Sequence, residues 1–241
     1  RDAFVVVNID DPAGPAMLDG CPATPLECSQ SDAEAKCHAA IGRQTLTHIE
    51  STFHGPWGSI ECDLPLIGRH NVFNAMQALA VCHVLGLNPE ALRAGIERCK
   101  APPGRLEPVT NPAHPFAVLV DYAHTDDALE NVLRALRPIV SASHGKLRVV
   151  FGCGGDRDCS KRPRMARVAC KYADDVIITS DNPRTEDPQA IVDEVFRGVP
   201  DDKLLSVIRI IDRAEAIRAS LDRARPGDLV LIAGKGHEDY Q

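Results

Sequence analysis

The sequence is poor in aromatic residues and has no extended apolar or basic run. Only 4% of its 241 residues are aromatic, whereas 44% are hydrophobic, which is enough for a core. No apolar run approaches the roughly 20 residues that a membrane-spanning helix needs. The net charge is −7 and no Lys/Arg run exceeds a few residues, which disfavours a nucleic-acid groove or an anionic membrane surface. We expect one large or two ordinary globular domains that bind small molecules.

The nine cysteines lack the spacing of a disulfide framework or a zinc site. None stands in a CxxC pair, and the two nearest, Cys153 and Cys159, are six positions apart. Structural zinc sites usually draw on more closely spaced ligands. We therefore interpret the cysteines as reduced thiols of a cytoplasmic protein, and we expect no metal ligand in this chain.

Two phosphate-binding patterns are also missing or defective. No GxxxxGK[ST] loop occurs anywhere in the sequence. The glycine-rich segment 152–158 resembles a GxGxxG fingerprint, but Arg157 occupies the third glycine position and would crowd a pyrophosphate. A Rossmann-type oxidoreductase or binding module with a nicotinamide or flavin cofactor is thus a disfavoured alternative.

The first hundred residues combine short strands with two helices. We predict a strand at 4–8, a mostly irregular segment at 20–34, and an antiparallel meander with strands near 36–41, 45–53 and 59–66. A helix starts at Asn71 and stops at Gly86. Asn88, followed by Pro89, caps a second helix that runs to about Cys99. The Pro/Gly-rich segment 101–104 then marks a boundary, giving domains 1–102 and 103–241.

After this boundary strands and helices alternate. The predicted strands are 116–120, 147–151, 175–179, 207–211 and 229–233, and the predicted helices begin near 126, 161, 187 and 212. Such alternation is typical of an α/β domain with a mostly parallel, Rossmann-like sheet and helices on both faces. Ligands bind beyond the carboxyl ends of the strands in such sheets, where the unusual residues of this sequence follow strands 116–120, 147–151, 175–179 and 229–233.

Three of these loops carry charges suited to a small ligand. Arg157 lies in the glycine-rich loop and Arg184 ends Asp181-Asn182-Pro183-Arg184, while Glu238 follows Gly234-Lys235-Gly236-His237. An arginine can bind a carboxylate through two parallel hydrogen bonds, and a glutamate can receive an ammonium group. The three charges together favour an amino acid as ligand. His237 alone carries no catalytic assignment.

Six segments in this order resemble the MurE ligases, the UDP-N-acetylmuramoyl-tripeptide synthetases of peptidoglycan assembly. They are Gly68–Asn74, Gly104–Glu107, Asp121–Thr125, Phe151–Asp158, Asp181–Arg184 and Gly234–Gln241. The resemblance implies an enzyme that uses ATP and Mg²⁺ to form an amide bond. In the implied reaction a carboxyl of UDP-N-acetylmuramoyl-L-alanyl-D-glutamate is phosphorylated, and the amine of meso-diaminopimelate attacks the acyl phosphate. The domains would be the end of a central ATP-binding domain, with its small antiparallel sheet, and most of a carboxyl-terminal amino-acid-binding domain.

The resemblance also assigns site residues, and these assignments rest on the resemblance alone. Those implied to bind meso-diaminopimelate are Arg157, Asp181, Asn182, Pro183, Arg184, Gly234 and Glu238. Those implied to contact ATP are Asn74, Arg105, Asp121 and His124. Lysine-adding relatives lack the arginine at position 184, which implies that Arg184 pairs with the second carboxylate of diaminopimelate. No catalytic residue is assigned.

The sequence departs from the family pattern in two ways. The phosphate loop and the Mg²⁺ ligands of the family would precede Arg1, so we expect an internal fragment, monomeric, that binds its amino acid but does not catalyse ligation. Asp126 replaces the proline that usually follows Tyr-Ala-His-Thr, and an aspartate is acceptable at a helix start. Another Mur ligase or a folylpolyglutamate-type synthase is a further alternative, against which the 181–184 and 234–238 motifs argue.

Overall fold

The structure, a computed structural model, describes residues 3–109 and 115–240. Arg1, where the first predicted domain begins, lies outside the described residues. Gln241, where the second predicted domain and the last quoted motif end, lies outside them as well. The chain divides into two compact units, residues 1–100 and 101–241.

The first unit contains a five-stranded sheet and three helices. Its elements in chain order are β1 (Phe4–Asn8), α1 (Ala13–Ala16), β2 (Thr24–Ser29), β3 (Cys37–Gln44), β4 (Ile49–Gly55), β5 (Gly58–Leu64), α2 (Arg69–Val84) and α3 (Pro89–Glu97). The strands lie in the order β1-β2-β3-β4-β5. The pairs β3–β4 and β4–β5 are antiparallel, which confirms the predicted meander, whereas β1–β2 and β2–β3 are parallel.

The prediction that residues 20–34 are mostly irregular is wrong at β2. This strand has only two apolar core positions, Leu26 and Cys28, which alternate with Pro25 and Glu27. Two apolar residues are too few for a recognisable period of two, so neighbouring strands on both sides determine the structure here.

The two long helices of the first unit begin and end close to the predicted positions. The side chain of Asn88 accepts a hydrogen bond from the amide of Ala91 at 2.8 Å and caps α3. Gly86, with φ of 90°, ends α2 in a conformation that favours glycine. The inward face of α2 buries Met76 and Leu79 in one core with Phe53 of β4. No helix among the described residues has the length and apolarity to cross a membrane.

The second unit is a six-stranded α/β domain. Its elements in chain order are β6 (Glu107–Pro108), β7 (Ala117–Asp121), α4 (Asp126–Ala142), β8 (Leu147–Cys153), α5 (Lys161–Tyr172), β9 (Asp175–Ser180), α6 (Pro188–Phe196), β10 (Val207–Arg209), α7 (Arg213–Arg223) and β11 (Leu229–Ala233). The strand order is β10-β9-β8-β11-β7-β6, and every pair except β6–β7 is parallel. The predicted fold class is confirmed.

The order of the strands brings the candidate loops to one edge of the sheet. Strands β9, β8, β11 and β7 are consecutive neighbours, and the segments that follow them are 181–184, 152–158, 234–238 and 122–124. All seven residues of β8 are buried, as expected for a central strand covered on both faces. Parallel strands end at the same edge, so the four segments become neighbours in space.

Candidate functional site

Hydrogen bonds join the three charged loops. The amide of Gly155 donates to the carbonyl of Asn182 at 2.9 Å, which links the glycine-rich loop to 181–184. The side-chain amide of Asn182 donates to Glu238 Oε2 at 3.3 Å, which links 181–184 to 234–238. Asn182, in the 181–184 loop, therefore bonds to both of the other loops.

The side chain of Asn182 is held on both sides. Its Nδ2 donates to Glu238, and its Oδ1 accepts a hydrogen bond from Lys235 Nζ at 2.8 Å. Asp181 accepts the backbone amide of Asn182 at 2.6 Å, and both residues are only 8% exposed. A buried amide with donor and acceptor both satisfied has a fixed orientation. The amide of Asn182 therefore holds its NH2 group toward Glu238 and its oxygen toward Lys235.

Glu238 lies between two donors. Besides Asn182, the hydroxyl of Tyr122 donates to Glu238 Oε1 at 3.1 Å. The hydrogen bond to Glu238 raises the pKa of Tyr122 above its usual value, so the hydroxyl remains a donor at neutral pH. The carboxylate of Glu238 is half-buried, and it is held in place without a cationic partner among its described hydrogen bonds. This arrangement suits an incoming ammonium group.

Arg184 faces the glycine-rich loop. Its Nη1 donates to the carbonyl of Gly155 at 2.8 Å and to that of Asn182 at 3.4 Å. The residue is exposed, and its backbone adopts φ of 53°, the left-handed region that non-glycine residues rarely occupy. Such strain is concentrated at functional sites in proteins. Two carbonyls therefore orient a guanidinium that remains accessible to a carboxylate.

The other predicted amino-acid-binding residues lie in the same loops. Arg157 is exposed in the glycine-rich loop, and Pro183 is half-buried. At Gly155 an added Cβ would be 1.9 Å from the carbonyl oxygen of Pro183, so the two loops are in direct backbone contact. Gly234, with φ of 114°, lets β11 turn beside Asp181, whose Oδ2 would be 3.1 Å from an added Cβ.

Three of the four predicted ATP-contacting residues gather near Tyr122. The guanidinium carbon of Arg105 lies 4.8 Å from the centre of the Tyr122 ring. The ring of His124 is 4.7 Å away, and its Nδ1 is 2.9 Å from the carbonyl of Tyr122. Asp121 is buried, and its two oxygens accept the amides of Leu106 and Ala123, each at 2.8 Å. Asp121 therefore orders this cluster through the backbone.

Asn74 belongs to the first unit. It lies on the exposed side of α2, where its Nδ2 donates to Asn71 Oδ1 at 3.3 Å. This contact is local to the helix.

From the sequence we assigned no individual role to three residues that contact the site. Tyr122 and Lys235 appear in the sequence only as members of motifs, yet one positions Glu238 and the other Asn182. Arg162, at the start of α5, is 1% exposed and donates to the carbonyl of Gly154 in the glycine-rich loop. The position of Lys235 between two glycines was a sequence signal for a functional role. The role of Arg162 depends on contacts with residues distant in the sequence, which short motifs do not show.

The fold and this site define an α/β domain that gathers charged and polar side chains from three loops at the carboxyl edge of its sheet. The profile described as Mur ligase, glutamate ligase domain, matches residues 104–236, and that of the Mur ligase middle domain matches residues 1–82. The chain belongs to the Mur ligase family.

Curated relatives agree with the resemblance to MurE ligases. A protein of Synechococcus sp. strain WH7803 is 46% identical over 98% of this chain and 47% of its own length. One of Geobacter metallireducens is 42% identical over 98% of this chain and 48% of its own. Both are named UDP-N-acetylmuramoyl-L-alanyl-D-glutamate–2,6-diaminopimelate ligase. The chain spans about half the length of the curated relatives that it matches.

Solved structures also resemble this chain, to different degrees. A structure of a ligase with that name superimposes with a TM-score of 0.70 at 36% identity, covering 99% of this chain and 49% of that one. Folylpolyglutamate synthase from Thermotoga maritima has a TM-score of 0.68 at 21% identity, over 91% of this chain and 47% of that one. The second likeness reflects the shared fold alone.

Proposed function

We propose that the full-length protein adds meso-diaminopimelate to UDP-N-acetylmuramoyl-L-alanyl-D-glutamate at the expense of ATP, in peptidoglycan biosynthesis. Residues 1–102 would form the end of the central ATP-binding domain and residues 103–241 most of the amino-acid-binding domain. The observation that carries this proposal is the position of Arg184, an accessible guanidinium oriented by two carbonyls. The names of the relatives support the same activity.

Diaminopimelate has the charges that the three loops can bind. It carries two ammonium groups and two carboxylates, whereas lysine lacks the second carboxylate. We assign one carboxylate to Arg184, because a guanidinium binds a carboxylate with two parallel hydrogen bonds. Glu238, held by Tyr122 and Asn182, would receive an ammonium group. Arg157 is exposed in the neighbouring loop and would bind the other carboxylate.

ATP would bind beside the same loops. We propose that Arg105 and His124, which flank Tyr122, contact the nucleotide. The assignment of Asn74 to ATP rests on the resemblance to the MurE ligases and is a separate proposal. Asp121 would act indirectly, since its oxygens are occupied by backbone amides. Mg²⁺ would screen the phosphate charge when bound, and we assign its ligands to a part of the protein outside this chain.

The proposed reaction consists of a phosphoryl transfer followed by an acyl transfer. The D-glutamate side-chain carboxylate attacks the γ-phosphorus of ATP, and ADP leaves. The free amine of diaminopimelate then attacks the acyl carbon, phosphate leaves, and the amine loses one proton. The role of this chain would be to hold the amine and acyl phosphate in position, which accounts for large rate gains in such reactions.

We expect the isolated chain to bind diaminopimelate without catalysing ligation. We also propose a cytoplasmic, monomeric protein.

The proposal is tested with the full-length protein, ATP, Mg²⁺ and the UDP-linked dipeptide. We expect phosphate release only when meso-diaminopimelate is added, with one amide formed per phosphate. L-lysine, supplied at the same concentration, should give at least about a hundredfold less product, because an unpaired arginine in the pocket disfavours the shorter ligand. Absence of turnover with diaminopimelate would overturn the proposed function.

A further inference from the structure

Arg162 is the largest fully buried side chain of the described residues, and it lies beneath two loops of the site. Its Nη2 donates to the carbonyl of Gly154 at 3.3 Å and to Glu186 Oε1 at 2.8 Å. Its Nη1 donates to Glu194 Oε2 of α6 at 2.7 Å. One guanidinium therefore joins the glycine-rich loop, the segment after Arg184 and a helix.

The contacts continue from Glu186 into the site. Glu186 Oε1 also accepts the amide of Asp156 at 2.6 Å. The carboxylate of Asp156 in turn accepts the amide and the hydroxyl of Thr185, at 3.1 and 2.7 Å. Arg184 immediately precedes Thr185, and its own Nη1 donates to the carbonyl of Gly155. The chain of contacts from Arg162 thus ends at Arg184, the residue proposed to bind a carboxylate.

Two further observations indicate a role other than stability. Asp156 and Arg184 both have left-handed backbones, with φ of 52° and 53°, so each loop is held in a strained conformation. Arg162 Nε is buried and has no hydrogen-bond partner among the described residues. A buried donor without a partner costs stability. The buried guanidinium therefore holds the two loops in position at a cost in the stability of the fold.

We propose that Arg162 is a positioning residue that sets the distance between the 154–156 and 182–186 loops, and through it the affinity of the site for diaminopimelate. This inference rests on the proposed function for the identity of the ligand. The side chain is buried and would not touch the substrate. Its effect comes from fixing Gly154 and Asp156, on which Arg184 and Thr185 depend.

Arg162→Lys in the full-length protein tests this role. A lysine keeps the charge but cannot serve three acceptors in a fixed plane. We expect the KM for meso-diaminopimelate to rise about tenfold, with the KM for ATP and kcat within about twofold of wild type, because small displacements of positioning groups have effects of this size or larger. An unchanged KM for diaminopimelate in the folded variant would overturn the proposal.

The two carboxylate partners of Arg162 provide a matched pair of variants. Glu186→Gln affects both Arg162 and the Asp156 amide, so it should raise the same KM. Glu194→Gln removes an equivalent partner on α6 without touching the loops, so it should lower the melting temperature and leave the KM unchanged. This comparison decides the question if Arg162→Lys does not fold. An equal KM increase in both variants would contradict the proposal.

Hydrogen exchange separates this inference from the proposed function. The amides of Gly155 and Asp156 should exchange faster in Arg162→Lys, whereas those of Val176 and Ile177 in β9 should not change. Wild-type protein that does not ligate diaminopimelate would overturn the proposed function alone. Unchanged exchange at Gly155 and Asp156 would overturn the positioning role of Arg162, whatever the substrate is.

Discussion

At the scale of single residues, Tyr122 connects the two halves of the candidate site. Its hydroxyl donates to Glu238, whereas its ring contacts Arg105 and His124. The hydroxyl and the ring can be separated by mutation, because phenylalanine keeps the ring. Tyr122 thus allows the proposed amino-acid side and the proposed nucleotide side of the site to be tested independently.

Tyr122→Phe should weaken diaminopimelate binding about tenfold and change ATP binding by less than about twofold. The lost hydrogen bond is to a charged carboxylate, and bonds of that kind contribute about 1.5–3 kcal/mol. Calorimetric titration of each ligand measures the two effects. Tyr172→Phe is the matched control, since Tyr172 donates to Glu130 Oε1 at 2.6 Å between α4 and α5. A variant that loses ATP affinity instead would contradict the assignment of Glu238.

The predicted residues and the missed residues differ in a physical way. Arg157, Arg184 and Glu238 follow strands and carry charges, so sequence position and chemistry both indicated them. The roles of Tyr122 and Lys235 depend on Glu238 and Asn182, which lie 116 and 53 positions away. Contacts over such separations arise from the order of strands in the sheet, which short motifs do not contain.

At the scale of elements, the site depends on the close approach of two loops. Gly155 and the carbonyl of Pro183 leave no room for a side chain, since an added Cβ would be 1.9 Å from that oxygen. The obstructing atom belongs to the backbone and cannot rotate away. The contact therefore fixes the spacing of the loops after β8 and β9.

Gly155→Ala should destabilise the second unit by about 1–3 kcal/mol, as overpacking does, and should reduce diaminopimelate binding more than Tyr122→Phe does. Denaturant unfolding and calorimetry measure the two effects. Gly95→Ala in α3 is the control, because an added Cβ there has no neighbour within 4 Å. It should stabilise its helix by about 0.5–1 kcal/mol. Normal binding by Gly155→Ala would show that the loop spacing does not matter.

Element prediction worked where apolar runs or caps were strong. The central strands β8 and β11 are almost entirely buried, and both are mostly apolar in sequence, with Arg148 the charged exception in β8. The predicted cap Asn88 accepts the amide of Ala91, and Asp212, near which a helix was predicted to begin, accepts the amide of Glu215. β2 was missed because its inward face has two apolar residues, and β6 because it has two residues in all.

At the scale of the whole molecule, the edge of the second sheet opposite the site contains a buried ion cluster. Arg148 of β8 lies between Asp228 and Asp175, and its Nη2 is 3.0 Å from Asp228 Oδ2. Burial pushes the pKa of Asp228 upward, but the amides of Lys146 and Arg225 and the guanidinium of Arg148 outweigh it and lower the pKa. The charged carboxylate thus stabilises the folded state.

This lowered pKa predicts an acid-dependent loss of stability. A carboxyl whose folded pKa is depressed stabilises fully above its unfolded pKa of about 3.9, and the effect disappears as pH falls through the lower folded value. Asp228→Asn should cost about 3 kcal/mol at neutral pH and flatten the decline below about pH 4. Hydrogen exchange of the β8 and β11 amides reports on this unit. Asp193→Asn, which removes a partly exposed ion pair with Arg209, should change stability by less than about 1 kcal/mol. An unaltered acid profile in Asp228→Asn would refute the role of this cluster.

The overall architecture was predictable because strand–helix alternation determines a parallel sheet, and parallel strands bring their following loops to one edge. The exact neighbours were not predictable. β11 lies between β7 and β8, and this insertion places Glu238 beside Asn182 and Tyr122. It depends on the packing of the last strand against two earlier ones.

Arg184 is the residue that we propose selects the second carboxylate of diaminopimelate. The most direct measurement is the ratio of ligation efficiency, kcat/KM, for meso-diaminopimelate and L-lysine in wild type, Arg184→Lys and Arg184→Ala full-length protein. We expect a high ratio in wild type, an intermediate one in Arg184→Lys, and a fall of about a hundredfold in Arg184→Ala, since a charge-assisted bidentate pair contributes about 1.5–3 kcal/mol or more. A ratio that is the same in wild type and Arg184→Ala would contradict the claim.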